Sequence, residues 1–166
     1  SQNESIERRK LSVNKRIKES KWFAKVIEDW HYMVAYNTTF DINGNDISTA
    51  KTKWWTYDEE TAQKVIPIVK EITKAGRRKT IGNNYYQETP EERQKYLEIQ
   101  KKFKDLKTKI LIINGKYDTN NLPEFATELH FRLPNSKLVI IDKSGHFPWI
   151  EQSEQTFNEI NKWLRE

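Results

Sequence analysis

Two apolar runs set a helix-length apart constrain this chain more than any other feature. Ile110, Leu111, Ile112 and Ile113 open into a polar turn that contains Gly115 and ends on Asp118. Leu138, Val139, Ile140 and Ile141 open into a second turn that contains Gly145 and ends on His146. Uninterrupted β-preferring runs of this length predict strands buried on both faces, as in parallel sheets covered by helices. Residues 122–133 lie between them, long enough for a helix, with Pro123 near its start and Pro134 just past its end. Strand, helix, strand in this spacing predicts a βαβ unit with parallel strands and a right-handed crossover. Asp118 and His146 then fall at the carboxyl ends of neighbouring strands, where open α/β sheets place their chemistry.

Either residue alone is ordinary. An Asp after a strand is often a turn former whose side chain bonds its own backbone, and a Gly-His in a loop is often a surface histidine. Taken together, in this order and separation, they resemble the C-terminal part of an α/β-hydrolase. The resemblance runs from Lys109 to Asp118 and through Ser144, Gly145, His146, Phe147, Pro148, Trp149, Ile150 and Glu151. It covers about residues 107–166 well and the preceding region loosely. It implies that Asp118 is the acid of a catalytic triad and His146 its base, with a C-terminal helix closing the domain. In that role His146 takes the nucleophile's proton and returns it to the leaving group, while Asp118 holds the tautomer and stabilises the imidazolium. Residues 153–164 suit the closing helix: Ser153 can cap it, and Phe157, Ile160, Trp163 and Leu164 form one apolar face.

The fold class implied is α/β: a partial α/β-hydrolase fold, mostly helical cap followed by a C-terminal β-α-β-α unit with parallel strands. Residues 1–104 are expected to be the cap and residues 105–166 the C-terminal part of the core. The ending is similar to proline-iminopeptidase-like members of the family. Such members bind a substrate's free amine with cap carboxylates. Asp58, Glu59 and Glu60 are available here, but an exposed helix-start cluster explains them equally well.

A triad also needs a nucleophile, which the family carries in a Gly-x-Ser-x-Gly elbow upstream of the acid. No serine among the 166 residues has that frame, and there is no cysteine. The expected function is therefore that of a C-terminal fragment of a serine-type hydrolase of esters or amides, inactive alone. The competing class is a non-catalytic binding or interaction module on a hydrolase-derived framework. Expected partners are a small-molecule or peptide substrate in the parent enzyme, and either the missing N-terminal half or a second copy. With so few strands, one strand edge and an apolar face would otherwise stay uncovered. No cofactor and no metal is expected.

Elsewhere the chain reads as helix. Residues 6–37 predict two helices broken near Ser20, with Trp22, Phe23, Val26, Ile27, Trp30, Met33 and Val34 as an apolar stripe. Residues 61–75 predict another, kinked or started at Pro67. Thr89, Pro90 and Glu92 spell a capping box for a helix reaching about Phe103. Trp54, Trp55, Tyr57, Tyr85 and Tyr86 are candidate pocket-lining aromatics; His31 and His130 read as structural. Residues 41–52 fail as a calcium loop because Asp46 and Thr52 stand where glycine and glutamate are required. Asn37, Thr38 and Thr39 form a formal glycosylation sequon, relevant only in a secreted eukaryotic protein.

A mean hydropathy of −0.92 and 32% charged residues predict much exposed helix. Residues 1–25 hold eight Lys or Arg against three Glu, the whole of the chain's net +5. Apolar residues interleave with these charges, so a solvated helix face is expected rather than a nucleic-acid arm. No run approaches membrane-spanning length and no stretch resembles a signal peptide. A cytoplasmic location is the expectation, with a removed leader as the alternative.

Overall fold

The computed structural model of the chain describes residues 2–75 and 89–166. Helix α1 (Gln2–Glu19) and α2 (Lys21–Tyr36) meet at Ser20, whose hydroxyl accepts a hydrogen bond from the Phe23 amide at 3.1 Å and so caps α2. The stripe on α2 buries Phe23, Val26 and Ile27, while Val34 near its end is exposed. A turn then crosses residues 39–48. There the Asp41 carboxylate accepts from the amides of Asn43 and Asn45, and Gly44 takes a left-handed φ of 81°.

Short helix α3 (Ala50–Trp54) leads to α4 (Glu59–Ala75), which packs in turn against α7 (Pro148–Glu151). Asp58 caps α4, its carboxylate accepting from the Thr61 amide at 2.8 Å. Pro67 lies within α4 without ending it. The helix α5 (Pro90–Lys101) carries the capping box in full: the Glu92 amide donates to Thr89 and the Thr89 amide donates to Glu92. It stops two residues before Phe103, where a 3-10 turn, Phe103–Asp105, takes over.

Strands β1 (Ile110–Gly115) and β2 (Ser136–Ile141) pair in parallel, with Ile110 opposite Ser136 and Gly115 opposite Ile141. Between them runs α6 (Pro123–Arg132), preceded by buried Leu122 and packed on both strands. This is the β-α-β unit, and α8 (Ser153–Leu164) extends it to β-α-β-α.

Three local expectations change. The strands are half-buried rather than covered on both faces, because each has one sheet neighbour among the described residues; Gly115 and Ile141 alone in them are buried. The cap of α8 is Gln152, not Ser153, which is already its first helical residue. The buried anchor of α8 is Thr156, whose hydroxyl donates to the Pro148 carbonyl at 2.9 Å, whereas Phe157 and Leu164 of the expected apolar face are exposed. With two strands beneath it, α8 has little apolar surface to cover.

Candidate functional site

The end of β1 and the loop after β2 are tied by backbone alone. Beyond the last ladder pair, the Lys116 amide donates to the Ile141 carbonyl and the Tyr117 amide to the Ser144 carbonyl, each at 2.9 Å. This extra pairing needs a close approach. A Cβ on Gly115 would lie 1.9 Å from the Gly145 carbonyl oxygen, so only glycine fits there. Gly145 is confined likewise, its missing Cβ sitting 2.3 Å from the Trp55 carbonyl oxygen.

The two turns bring Asp118 and His146 together. One carboxylate oxygen of Asp118 lies 2.8 Å from His146 Nδ1. The other accepts from the amides of Asn120 and Asn121 at 2.8 and 2.9 Å. Asp118 is thus a turn former and an imidazole partner at once, one oxygen for each task. It is buried, while the His146 side chain keeps 25% of its surface exposed. The hydrogen bond to Asp118 raises the imidazole's affinity for a proton above the ordinary value of 6.5, against the opposing effect of burial. With Nδ1 so engaged, Nε2 has no hydrogen-bond partner among the described residues. The arrangement can accept a proton at Nε2 and stabilise the resulting cation.

Two buried charges, neither of which the sequence reading singled out as a site residue, hold the segments around His146. Glu151 is 3% exposed, and its carboxylate accepts from the amides of Tyr57 at 2.8 Å, Gly145 at 3.0 Å and Phe147 at 3.0 Å. The flanking residues of His146 are thereby gripped from one side chain. The His146 amide itself donates to the Trp55 carbonyl at 2.7 Å. Arg16 of α1 reaches the same segment from the far side, donating to the carbonyls of Thr56, Tyr57 and Tyr117 and lying 3.9 Å over the Phe23 ring. Burial pulls the Arg16 guanidinium down to about 10, still charged at neutral pH, with the Glu151 charge acting the other way. The segment 55–57 is one place where the N-terminal helices and the C-terminal unit join, the packing of α4 on α7 and the Arg8–Glu128 ion pair being others.

A family model described as TAP-like protein, an α/β-hydrolase family, matches residues 81–166. The chain belongs to this family. It is 31% identical over 70 residues to a proline iminopeptidase of Clostridium botulinum, a stretch covering 42% of this chain and 24% of that protein. It is also similar to the structure of an alpha/beta fold family hydrolase from Bacillus anthracis. That match has 15% identity and a TM-score of 0.48 over 84% of this chain and 48% of the other. The chain therefore spans about a quarter of the curated relative and about half of the solved one.

Of the candidate aromatics among the described residues of this hydrolase-family chain, Trp55 stands beside the pair, its ring centroid 5.7 Å from that of His146. Tyr57 packs on Tyr117 at 4.6 Å and Trp54 on Trp30 at 6.0 Å. Tyr85 and Tyr86 lie outside the described residues. His130 is tied to the Ser136 hydroxyl at 2.8 Å, and among the described residues no cluster of His, Asp or Glu could hold a metal. No helix of the described residues is long and apolar enough to cross a membrane.

Proposed function

We propose that this chain is the C-terminal portion of a serine-type α/β-hydrolase that cleaves esters or amides, peptides included, by acyl transfer. His146 is its general base and acid, and Asp118 the carboxylate that orients it. The observation that carries this reading is the 2.8 Å contact between Asp118 and His146 Nδ1, which leaves Nε2 for the proton of an incoming alcohol. That alcohol would come from a Gly-x-Ser-x-Gly elbow outside these 166 residues, so the chain alone is expected to be inert. Residues 1–104 act as a cap over the site, and the preceding strands of the core cover the free edge of β1 and exposed Phe157. The similarity to a proline iminopeptidase supports a peptidase-like parent.

The test uses the full-length parent. Changing His146→Ala should lower turnover by about ten-thousandfold or more while leaving the fold intact. A fluorophosphonate should label the parent and leave the isolated chain unlabelled. Retained turnover in the His146 variant would end the reading in favour of a binding module.

A further inference from the structure

The cavity next to the Asp118–His146 pair has walls of one-sided chemistry. It encloses about 910 Å³ between α1, α2 and α3, and reaches the turn after β1 at Thr119 and Asn120, the two residues following Asp118. That volume is within the range of small-molecule sites. Trp30, Trp54 and Trp55 supply an apolar wall, and Trp55 is the residue whose ring lies beside His146. The charged lining residues are Arg9, Lys10 and Lys51, with His31 beside them, and among the described residues no Asp or Glu lines it.

These cations are not equally available. Lys10 is paired with Glu7 at 2.7 Å. Lys51 has no carboxylate partner among the described residues, and its ammonium stands 5.2 Å from the Trp55 ring centroid and 5.9 Å from that of Trp30. Two lining residues carry unpartnered polar atoms. Trp54 Nε1 and Thr119 Oγ1 are both buried without a hydrogen-bond partner, and Thr119 as a whole is 5% exposed. An indole N–H can only donate, and a hydroxyl can donate as readily as accept. Both atoms have almost no accessible surface, so the charge preference of the cavity rests on its cations.

We propose that this cavity is the substrate pocket, and that it selects a ligand with an apolar or aromatic body carrying an oxyanion, a carboxylate in the simplest case. The word substrate rests on the hydrolase reading; the binding preference does not. A free amine meets no opposite charge among the described lining residues and three cations of its own sign, so an amino-terminal recognition mode built on carboxylates finds no partner in these walls.

The experiment titrates the 166-residue chain with phenylbutyrate, phenylbutylamine and phenylbutanol, following heat and tryptophan fluorescence. Phenylbutyrate should bind saturably, about tenfold tighter than the alcohol and tighter still than the amine. Lys51→Glu should abolish that preference while leaving the far-ultraviolet circular dichroism unchanged, since the Lys51 side chain is exposed. Lys51→Met should weaken phenylbutyrate by an intermediate factor. Equal affinities for the three probes, preference for the amine, no saturable binding of phenylbutyrate, or a preference that survives Lys51→Glu would each overturn the proposal. The measurement needs no nucleophile. A failure of charge selectivity therefore leaves the His146 result standing, and an inert His146 leaves the selectivity standing.

Discussion

The two halves of the molecule reach one site by different means. Residues 110–146 place Asp118 and His146 with backbone: a parallel ladder, two further amide-to-carbonyl bonds past its end, and two glycines that let the turns touch. Residues 2–57 approach largely with side chains, one backbone bond from the His146 amide to the Trp55 carbonyl aside, and the buried charges of Arg16 and Glu151 tie the junction. A backbone frame withstands most side-chain substitutions. A junction made of buried charges fails when one is removed, because the groups it satisfied stay buried. Chemistry and docking should therefore separate under mutation.

The sharpest separation is expected at Asp118. In the full-length parent, Asp118→Asn should cut kcat by about ten-thousandfold, since an amide can present the wrong tautomer to His146. The turn should survive, because the amide oxygen can still accept from the Asn120 and Asn121 amides. Thermal melting and kcat measured on one preparation decide it. A collapse of melting temperature alongside the loss of rate would show that the frame, too, depends on this side chain.

Glu151 offers the converse. Both of its oxygens are in use, accepting from three backbone amides, so Glu151→Ala strands three buried donors and removes the charge that offsets Arg16. A cost of about 3–5 kcal/mol is expected. At this chain length that lowers the melting temperature by about 10 °C. Glu151→Gln should recover only part, since its NH2 would face a backbone donor. A change below about 1 kcal/mol, read by urea melts, would mean the junction is held elsewhere.

The comparison is also readable through pH. The bond to Asp118 raises the His146 pKa above 6.5, so the pair's contribution to stability is complete below pH 6.5 and fades as pH rises through the folded value. Activity runs the other way, because the base must be neutral: kcat/KM of the parent should climb with a midpoint above 6.5. Imidazole proton resonances of the isolated chain should titrate above 6.5 and move down in Asp118→Asn. A midpoint below 6.5 in the unmodified chain would contradict the hydrogen-bonded geometry.

Which of these features the sequence announced follows from their range. The ladder, the connecting helix and the positions of Asp118 and His146 were legible because each depends on neighbours a few residues away. Ser20 as a cap and the Thr89–Glu92 capping box were legible for the same reason. Arg16 and Glu151 were not. Arg16 sat among eight basic residues with nothing local to distinguish it from a solvated cation, and its partners are 40 and 101 residues away. Glu151 belonged to a run that marked the family, yet one of its hydrogen bonds crosses 94 residues to Tyr57. The apolar face of α8 misled for a related reason. Periodicity reveals that a face is apolar, not whether a surface is present to cover it, and Phe157 remains exposed.

The smallest effect is expected where local signals were strongest. Helix α5 has the complete capping box, yet buries none of its residues. Its helical form must then rest on propensity and capping more than on packing, and an isolated 12-residue helix is marginal without its cap. Thr89→Ala should cost about 1 kcal/mol and be felt inside α5 alone. Amide exchange across α5 should accelerate severalfold, while the His146 titration and the melting of the β1–β2 unit stay unchanged. If the substitution instead shifts the His146 midpoint, α5 is coupled to the site through contacts its exposed surface does not suggest, and the division into a backbone frame and a side-chain junction would need a third member.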